Sequence, residues 1–315
     1  MPSTIRIPII AFGFFLLAAS VGAQSLRIHQ AVEIEVPTEQ GRAYQLQTST
    51  DLSSWASLGE SFRGTGRIEL KSLRVHSAGR FFRSIEIPVS PSVSEDVIFQ
   101  HSTLGALLVG LYEGDLRFDR LLEQGDFGLG TFQGVDGELV VLDGTAYRIR
   151  VDGTASLVSP ETLTPFAVVT HFEPDLVFEV TDVTSFESLG ALIRQRLSSP
   201  NLLYAIKVTG IYSVLTTRSV PAQERPYPPL VDVVANQTTF DLDGIEGTMV
   251  GFLLPGYLSS LNASGFHFHF VDESRSTGGH VLELAASRLR VEVDICQRLE
   301  MDLPETSDFL EAELP

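Results

Sequence analysis

The segment Gly265 to His280, GFHFHFVDESRSTGGH, holds three of the seven histidines of this 315-residue chain and spaces them so that they can act together. Phe266, His267, Phe268, His269 and Phe270 alternate with the period of a β-strand, which puts both imidazoles on one face and the phenylalanines in a core on the other. Asp272 to Gly279 is rich in turn formers, and Gly278-Gly279 lets the chain return beside the strand it has left, so that His280 enters next to the first pair. Three imidazole nitrogens, each about 2.0–2.1 Å from a zinc ion, leave coordination positions open, which is the arrangement of a catalytic site. A chance His-x-His pair on a half-exposed strand is the plainer reading of the first two, and the third histidine weighs against it. His29, His76, His101 and His171 have no spacing that recruits them and are read as structural.

The chain is long enough for one large domain or two ordinary ones. Arg6, the apolar run Ile9 to Ala19 and the small residues Val21-Gly22-Ala23 read as a signal peptide over residues 1–23, which predicts export to the periplasm or beyond; a membrane anchor is the alternative reading. That run is too short for a membrane span of about 20 residues, and no later segment offers one. The single cysteine, Cys296, excludes an internal disulfide and is read as a strand residue without chemistry. A formal charge of −18 argues against nucleic acid or anionic lipid as partner.

The elements that must position the histidines follow a boundary. Residues 24–90 show many short alternating stretches and read as a small all-β module with its linker, in which Trp55 is expected in the core. The prolines of Pro88-Val-Ser-Pro91 mark a linker, with the domain boundary near Ser90. Residues 91–315 then read as one domain. Leu104, Leu107, Leu108 and Leu111 recur at helical spacing over Thr103 to Tyr112, and further helices are predicted at Phe118 to Gln124 and Ser185 to Leu197. Gly125 to Phe132 is too glycine-rich for a regular element and too apolar for a mobile loop, and it lacks the ending of a phosphate loop. Glu138 to Leu142 runs into an Asp143-Gly144 hairpin turn, and later strands include Leu203 to Tyr212, Thr216 to Pro221, Gly247 to Leu254, Gly265 to Val271, His280 to Ala285 and Leu289 to Ile295. The fold class is α+β, with mainly antiparallel or mixed sheets and few helices.

From Phe99 to Leu314 the sequence resembles the α-acetolactate decarboxylases. The resemblance rests on Gly125-Asp-Phe-Gly-Leu-Gly-Thr-Phe132, Asp136-Gly-Glu-Leu139, Asp143-Gly-x-x-Tyr-x-x-Arg-x-Asp-Gly-Thr154, Gln223-Glu-Arg-Pro-Tyr-Pro-Pro-Leu230, Gly247-Thr-Met-Val-Gly-Phe252 and the three histidines. It implies a zinc enzyme that converts (S)-2-acetolactate to (R)-acetoin, with His267, His269 and His280 as metal ligands. Glu138 corresponds to the metal-site glutamate, Arg218 to the active-site arginine, and Thr131 to a threonine close to the substrate. Relatives are often homodimers. They also carry a C-terminal tail whose glutamate reaches the metal, whereas this sequence stops at Leu314-Pro315; the resemblance then implies either that Glu311 or Glu313 substitutes or that the site is more open.

The residue types suit that chemistry. A 2-hydroxy-3-keto acid sheds carbon dioxide by leaving electrons on the adjacent carbonyl, where a Lewis acid stabilises the charge. Arg218 offers a planar fork to a carboxylate; its plain alternative is a strand ion pair. Glu138 can ligate metal or handle a proton, and otherwise is a solvated residue opening a hairpin. Two rival readings are a cupin-like metal protein, in which Glu273 joins the histidines, and a non-catalytic secreted metal-binding protein. The first leaves Glu138 and Arg218 without a role.

Overall fold

The protein is described from a computed structural model, over residues 30–38, 42–59, 62–63, 68–75, 81–87 and 96–314. The segment read as a signal peptide, His29, His76 and the proline-bounded linker lie outside those residues. The chain forms two compact units, Met1–Val93 and Ser94–Pro315.

In the first unit Gln30–Pro37 pairs antiparallel with Ile68–Val75, and Ala43–Ser49 pairs with Ala56–Ser57, Phe62–Arg63 and Phe81–Ile87. Its small core gathers Ile34, Val36 and Leu46, with Leu58 and Phe82 against them. Trp55 is not in that core, contrary to expectation. Its indole lies half-buried at the end of a serine-rich turn, donates to the Leu52 carbonyl at 3.3 Å, and carries the Arg83 guanidinium 4.1 Å above its ring. A large aromatic with a polar edge is satisfied at such a margin, where a cation stacks on its face.

The second unit is built on two packed seven-stranded sheets, with a short two-stranded ribbon of Leu116–Arg117 and Leu163–Thr164 and a few short helices around them, an α+β architecture. The first sheet runs Ala155–Leu157, Thr145–Ile149, Glu138–Leu142, Phe127–Thr131, Ala167–Thr170, Val97–His101, Arg298–Asp302, and only its last pair is parallel. The second runs Leu203–Tyr212, Ile245–Leu254, Gly265–Asp272, Gly278–Cys296, Val214–Ser219, Thr238–Asp241, with Leu176–Val183 added on Gly278–Cys296. The 19-residue strand Gly278–Cys296 pairs with Gly265–Asp272 near its start and with Leu203–Tyr212 near its end, which closes the sheet on itself. Phe127, Leu129 and Val140 of the first sheet meet Val250, Phe252 and Cys296 of the second in a shared core. Helix Phe186–Arg194 covers the far side of the second sheet with Leu189 and Ile193, and Phe118 and Leu121 of helix Phe118–Leu121 cover the first. Among the described residues no helix is long and apolar enough to cross a membrane.

Several expectations shift in detail. The helix predicted over Thr103 to Tyr112 is only Leu104–Leu108: Thr103 caps it by accepting from the Ala106 amide at 3.1 Å, and Gly110 at φ +89° turns the chain away. The glycine-rich stretch contains a regular element after all, the buried strand Phe127–Thr131, flanked on both sides. Its glycines are required by close approach, since a Cβ on Gly128 would meet the Val168 carbonyl oxygen at 2.1 Å. The strands expected at His280 to Ala285 and Leu289 to Ile295 are one.

A buried carboxyl lies where strand Gly278–Cys296 faces the other sheet. Asp294 is 0% exposed, its Oδ1 has no hydrogen-bond partner, and its Oδ2 accepts only from the Glu173 amide at 3.3 Å. Burial, with Asp96, Asp175 and Glu173 nearby, pushes its pKa up to about 8. An unfolded aspartate ionises near 4, so between about pH 4 and pH 8 the folded chain holds one more proton and loses roughly 1.4 kcal/mol of stability per unit as pH rises. Asp294→Asn is therefore expected to flatten the fall in urea midpoint between pH 5 and pH 8.5; an undiminished fall would assign the dependence to other groups.

Candidate metal centre

Two rows of side chains make the site, one from each sheet. In the second sheet His269 stands opposite His280, and His280 opposite Arg218, so three strands contribute adjacent positions of a single row. His267 lies two residues along the same face, while Phe268 and Phe270 are buried on the other, as the alternation predicts. The turn that brings His280 back is organised by Asp272, whose Oδ1 accepts from the amides of Ser276 at 2.7 Å and Thr277 at 2.9 Å. Gly279, at φ +136°, then returns the chain beside Arg218: a Cβ there would meet the Arg218 carbonyl oxygen at 2.5 Å.

In the first sheet Glu138 pairs directly with Thr131. The hairpin that begins at Glu138 closes through Asp143 at φ +50° and Gly144 at φ +73°, both in the left-handed region that such a two-residue turn requires. Thr131 Oγ1 donates to the Gly137 carbonyl at 2.8 Å, tying the residue before Glu138 to the neighbouring strand. Glu138, 7% exposed, spans the gap between sheets: its Oε1 lies 3.5 Å from Arg218 Nη1 and its Oε2 3.4 Å from His269 Nε2.

The three imidazoles offer ligand atoms within 4.8 Å of one another, the one such convergence of metal-binding side chains among the described residues. His267 Nε2 and His280 Nδ1 are 3.1 Å apart. His269 Nδ1 donates to the Leu139 carbonyl at 2.7 Å, which fixes the tautomer and leaves its buried Nε2 as a lone pair without a hydrogen-bond partner. Enclosure lowers all three pKa values, aided by the neighbouring imidazoles at His267 and His280 and by the Arg218 charge at all three. His269 falls to about 3, and the others lie well below the usual range. The rings are therefore neutral donors at physiological pH, so an orphaned nitrogen within a neutral three-imidazole cluster fits a divalent ion. Proton competition for them therefore sets in only below the ordinary histidine range near 6.5.

The cluster opens on a cavity of about 260 Å³. Its polar side is Thr131, Glu138, Arg218, Asn262 and the histidines; its apolar side includes Leu104, Leu107, Phe166, Val220 and Leu230. Burial pushes the Glu138 carboxyl up to about 7 against the lowering influence of Arg218. Neither Glu311 nor Glu313 lines this cavity, and both are exposed, as is Glu273 of the cupin-like reading. His101 pairs with Asp115 at 2.8 Å and His171 is exposed, so neither joins the cluster.

Residues 98–315 match the model of the alpha-acetolactate decarboxylase family. The chain belongs to that family. It is 44% identical over 228 residues to an alpha-acetolactate decarboxylase of Methanosarcina mazei, covering 72% of this chain and 79% of the relative. It is 41% identical to the enzyme of that name from Bacillus subtilis, covering 69% and 85%. The crystal structure of a Bacillus subtilis alpha-acetolactate decarboxylase superimposes with a TM-score of 0.67 at 40% identity, covering 69% of this chain and 93% of that one. The matched stretch includes Thr131, Glu138, Arg218 and the three histidines.

Sequence reasoning passed over the apolar half of the cavity and Asn262. Leu104 and Leu107 read as ordinary helix-core residues, because spacing reveals a buried face without saying whether that face meets core or cavity. Asn262 sits in Leu261-Asn262-Ala263-Ser264-Gly265, a run that carries only a turn signal.

Proposed function

We propose that this carboxy-lyase converts (S)-2-acetolactate to (R)-acetoin, with zinc held by His267, His269 and His280 and with Glu138 beside it. The observation that carries the reading is the convergence of a neutral three-imidazole cluster, a guanidinium and a carboxyl on one small, largely apolar cavity. When bound, the metal supplies Lewis-acid stabilisation for the negative charge that develops on adjacent substrate oxygens.

The chain's own residues do the rest. Arg218 donates a forked pair of hydrogen bonds to the substrate carboxylate and orients the carbon–carbon bond that breaks. The electrons of that bond pass to the neighbouring keto group as carbon dioxide leaves. One proton must then reach the carbon that bore the carboxylate, and Glu138, between Arg218 and His269, holds that proton in the cavity. Thr131 anchors the Gly137 carbonyl and with it the backbone entering Glu138. The apolar walls exclude water and take the alkyl groups. The test is acetoin formation from racemic acetolactate by the zinc-loaded protein, with metal content measured on the same sample; a metal-loaded protein that forms no acetoin overturns the reading.

Residues 24–90 take no part in this chemistry in our proposal, and residues 1–23 direct export. A chain beginning at Ser92 is expected to fold and decarboxylate at a rate within about a factor of two of the full protein, as surface changes remote from a site usually permit. A soluble, metal-loaded but inactive shortened chain would give the module a role in the site.

A further inference from the structure

One buried amide pair outside the reacting groups ties two walls of the cavity together. Gln100 lies on the same side of strand Val97–His101 as Ile98, faces the layer between the sheets, and is 0% exposed. Its Nε2 donates to the Ser102 carbonyl at 2.8 Å and to the Leu261 carbonyl at 2.9 Å, and its Oε1 accepts from Asn262 Nδ2 at 2.8 Å. Both amide protons and the carbonyl are thus used. Asn262, 4% exposed, is fixed in turn, because its Oδ1 accepts from the Ala263 amide at 2.6 Å. The Leu261 carbonyl also takes the Leu104 amide at 2.8 Å.

These bonds join separate pieces of the cavity. Ser102, at φ +66°, turns the chain into helix Leu104–Leu108, whose Leu104 and Leu107 form one wall; Asn262 and Ala263 form another, from a loop in which Asn262 lies 162 residues beyond Gln100. A hydrophobic core would hold the walls together without fixing their separation, since apolar contacts are not directional. Three hydrogen bonds to one buried side chain, two of them fully buried, do fix it, and each group left unpaired by a substitution would be costly.

We propose that Gln100 and Asn262 are positioning residues that set the gap between these walls, and so the size of alkyl group the substrate can carry. The proposal rests on the decarboxylase reading for the substrate class, a branched 2-hydroxy acid whose polar groups face the histidines and Arg218 and whose alkyl groups face Leu104, Leu107 and Ala263.

The test compares two acids differing by one methylene, acetolactate and its ethyl homologue, in the zinc-loaded wild type, Gln100→Leu and Asn262→Ala. One methylene in a well-defined pocket is worth roughly 10–200-fold in discrimination. Gln100→Leu is expected to reduce the wild-type kcat/KM ratio between the acids by at least about fivefold on that scale, chiefly through KM. Asn262→Ala, which leaves both backbone bonds of Gln100 in place, is expected to shift it less in the same direction and serves if Gln100→Leu does not fold. Calorimetric binding of the unreactive 2-hydroxy-2-methyl and 2-hydroxy-2-ethyl carboxylates should show the same loss of size preference. An unchanged ratio in folded variants, with both acids affected equally, overturns the proposal. Wild type that binds the unreactive acids but turns over neither substrate overturns the decarboxylase reading instead, and the binding ratio still decides the role of the pair.

Discussion

Replacing His269 with alanine is expected to strip the protein of bound metal and, with it, nearly all acetoin formation. His269 is the best-anchored imidazole of the three: it is 1% exposed, its Nδ1 is committed to the Leu139 carbonyl, and its other nitrogen has nothing but the site to face. Loss of a mere supporting partner of a ligand typically costs about 10–100-fold in metal affinity, so loss of the ligand should exceed that. Turnover should fall by at least about 10²–10³-fold, the scale set by removing one preorganised electrostatic contact. His267→Ala and His280→Ala are expected to behave alike, because each offers a ring nitrogen within 4.8 Å of the others'. Elemental analysis after gel filtration, beside a circular dichroism spectrum, checks both the metal and the fold. A folded variant retaining stoichiometric zinc would remove that histidine from the ligand set.

The second large effect is expected at Arg218 and Glu138, with a different pattern. Arg218 is held from behind: on the opposite face of its strand Thr217 Oγ1 donates to the Gly278 carbonyl and Ser219 Oγ to the Ile149 carbonyl, each at 2.9 Å. These bonds fix the strand that carries Arg218, whose Nη1 lies 3.5 Å from Glu138 Oε1 at the cavity. Lysine keeps the charge and loses the fork, so Arg218→Lys should retain zinc while kcat falls on the order of 10²-fold. Glu138→Gln preserves shape and removes the transferable proton, for which the expected loss is about 10²–10⁴-fold with zinc retained. Weakened zinc binding in Glu138→Gln would instead assign the carboxylate to the metal. Single-turnover kinetics separates the chemical step from product release. Near-normal acetoin formation by both variants would leave the histidines as the whole of the mechanism.

Much of this site was legible in the chain because strand parity is a local property. Alternating Phe and His residues state which side chains share a face, and a turn-rich segment ending in Gly278-Gly279 states that His280 comes back beside them. Asp143-Gly144 likewise announced its hairpin, and the motifs together pointed to the family. Local patterns were weaker where tertiary packing overrode them. The Phe127–Thr131 strand reads as irregular because glycine is a poor strand former, yet Gly128 is what lets the flanking strand come close. Trp55 reads as core by its size, but its turn leaves it at the margin beneath Arg83.

The sequence alone determined that three imidazoles share a strand-and-turn unit, that the fold is rich in antiparallel strands, and which family the catalytic region resembles. Only the tertiary structure decided that Glu138 and Thr131 of one sheet face His269, His280 and Arg218 of the other, that Glu311 and Glu313 stay out of the cavity, and that Gln100 and Asn262 join its walls. The physical reason is the range of the forces. Side-chain alternation and turn geometry act over a few residues and are written in the order of residues, whereas register between sheets and the pairing of buried polar groups are settled by packing and desolvation among segments far apart in the chain.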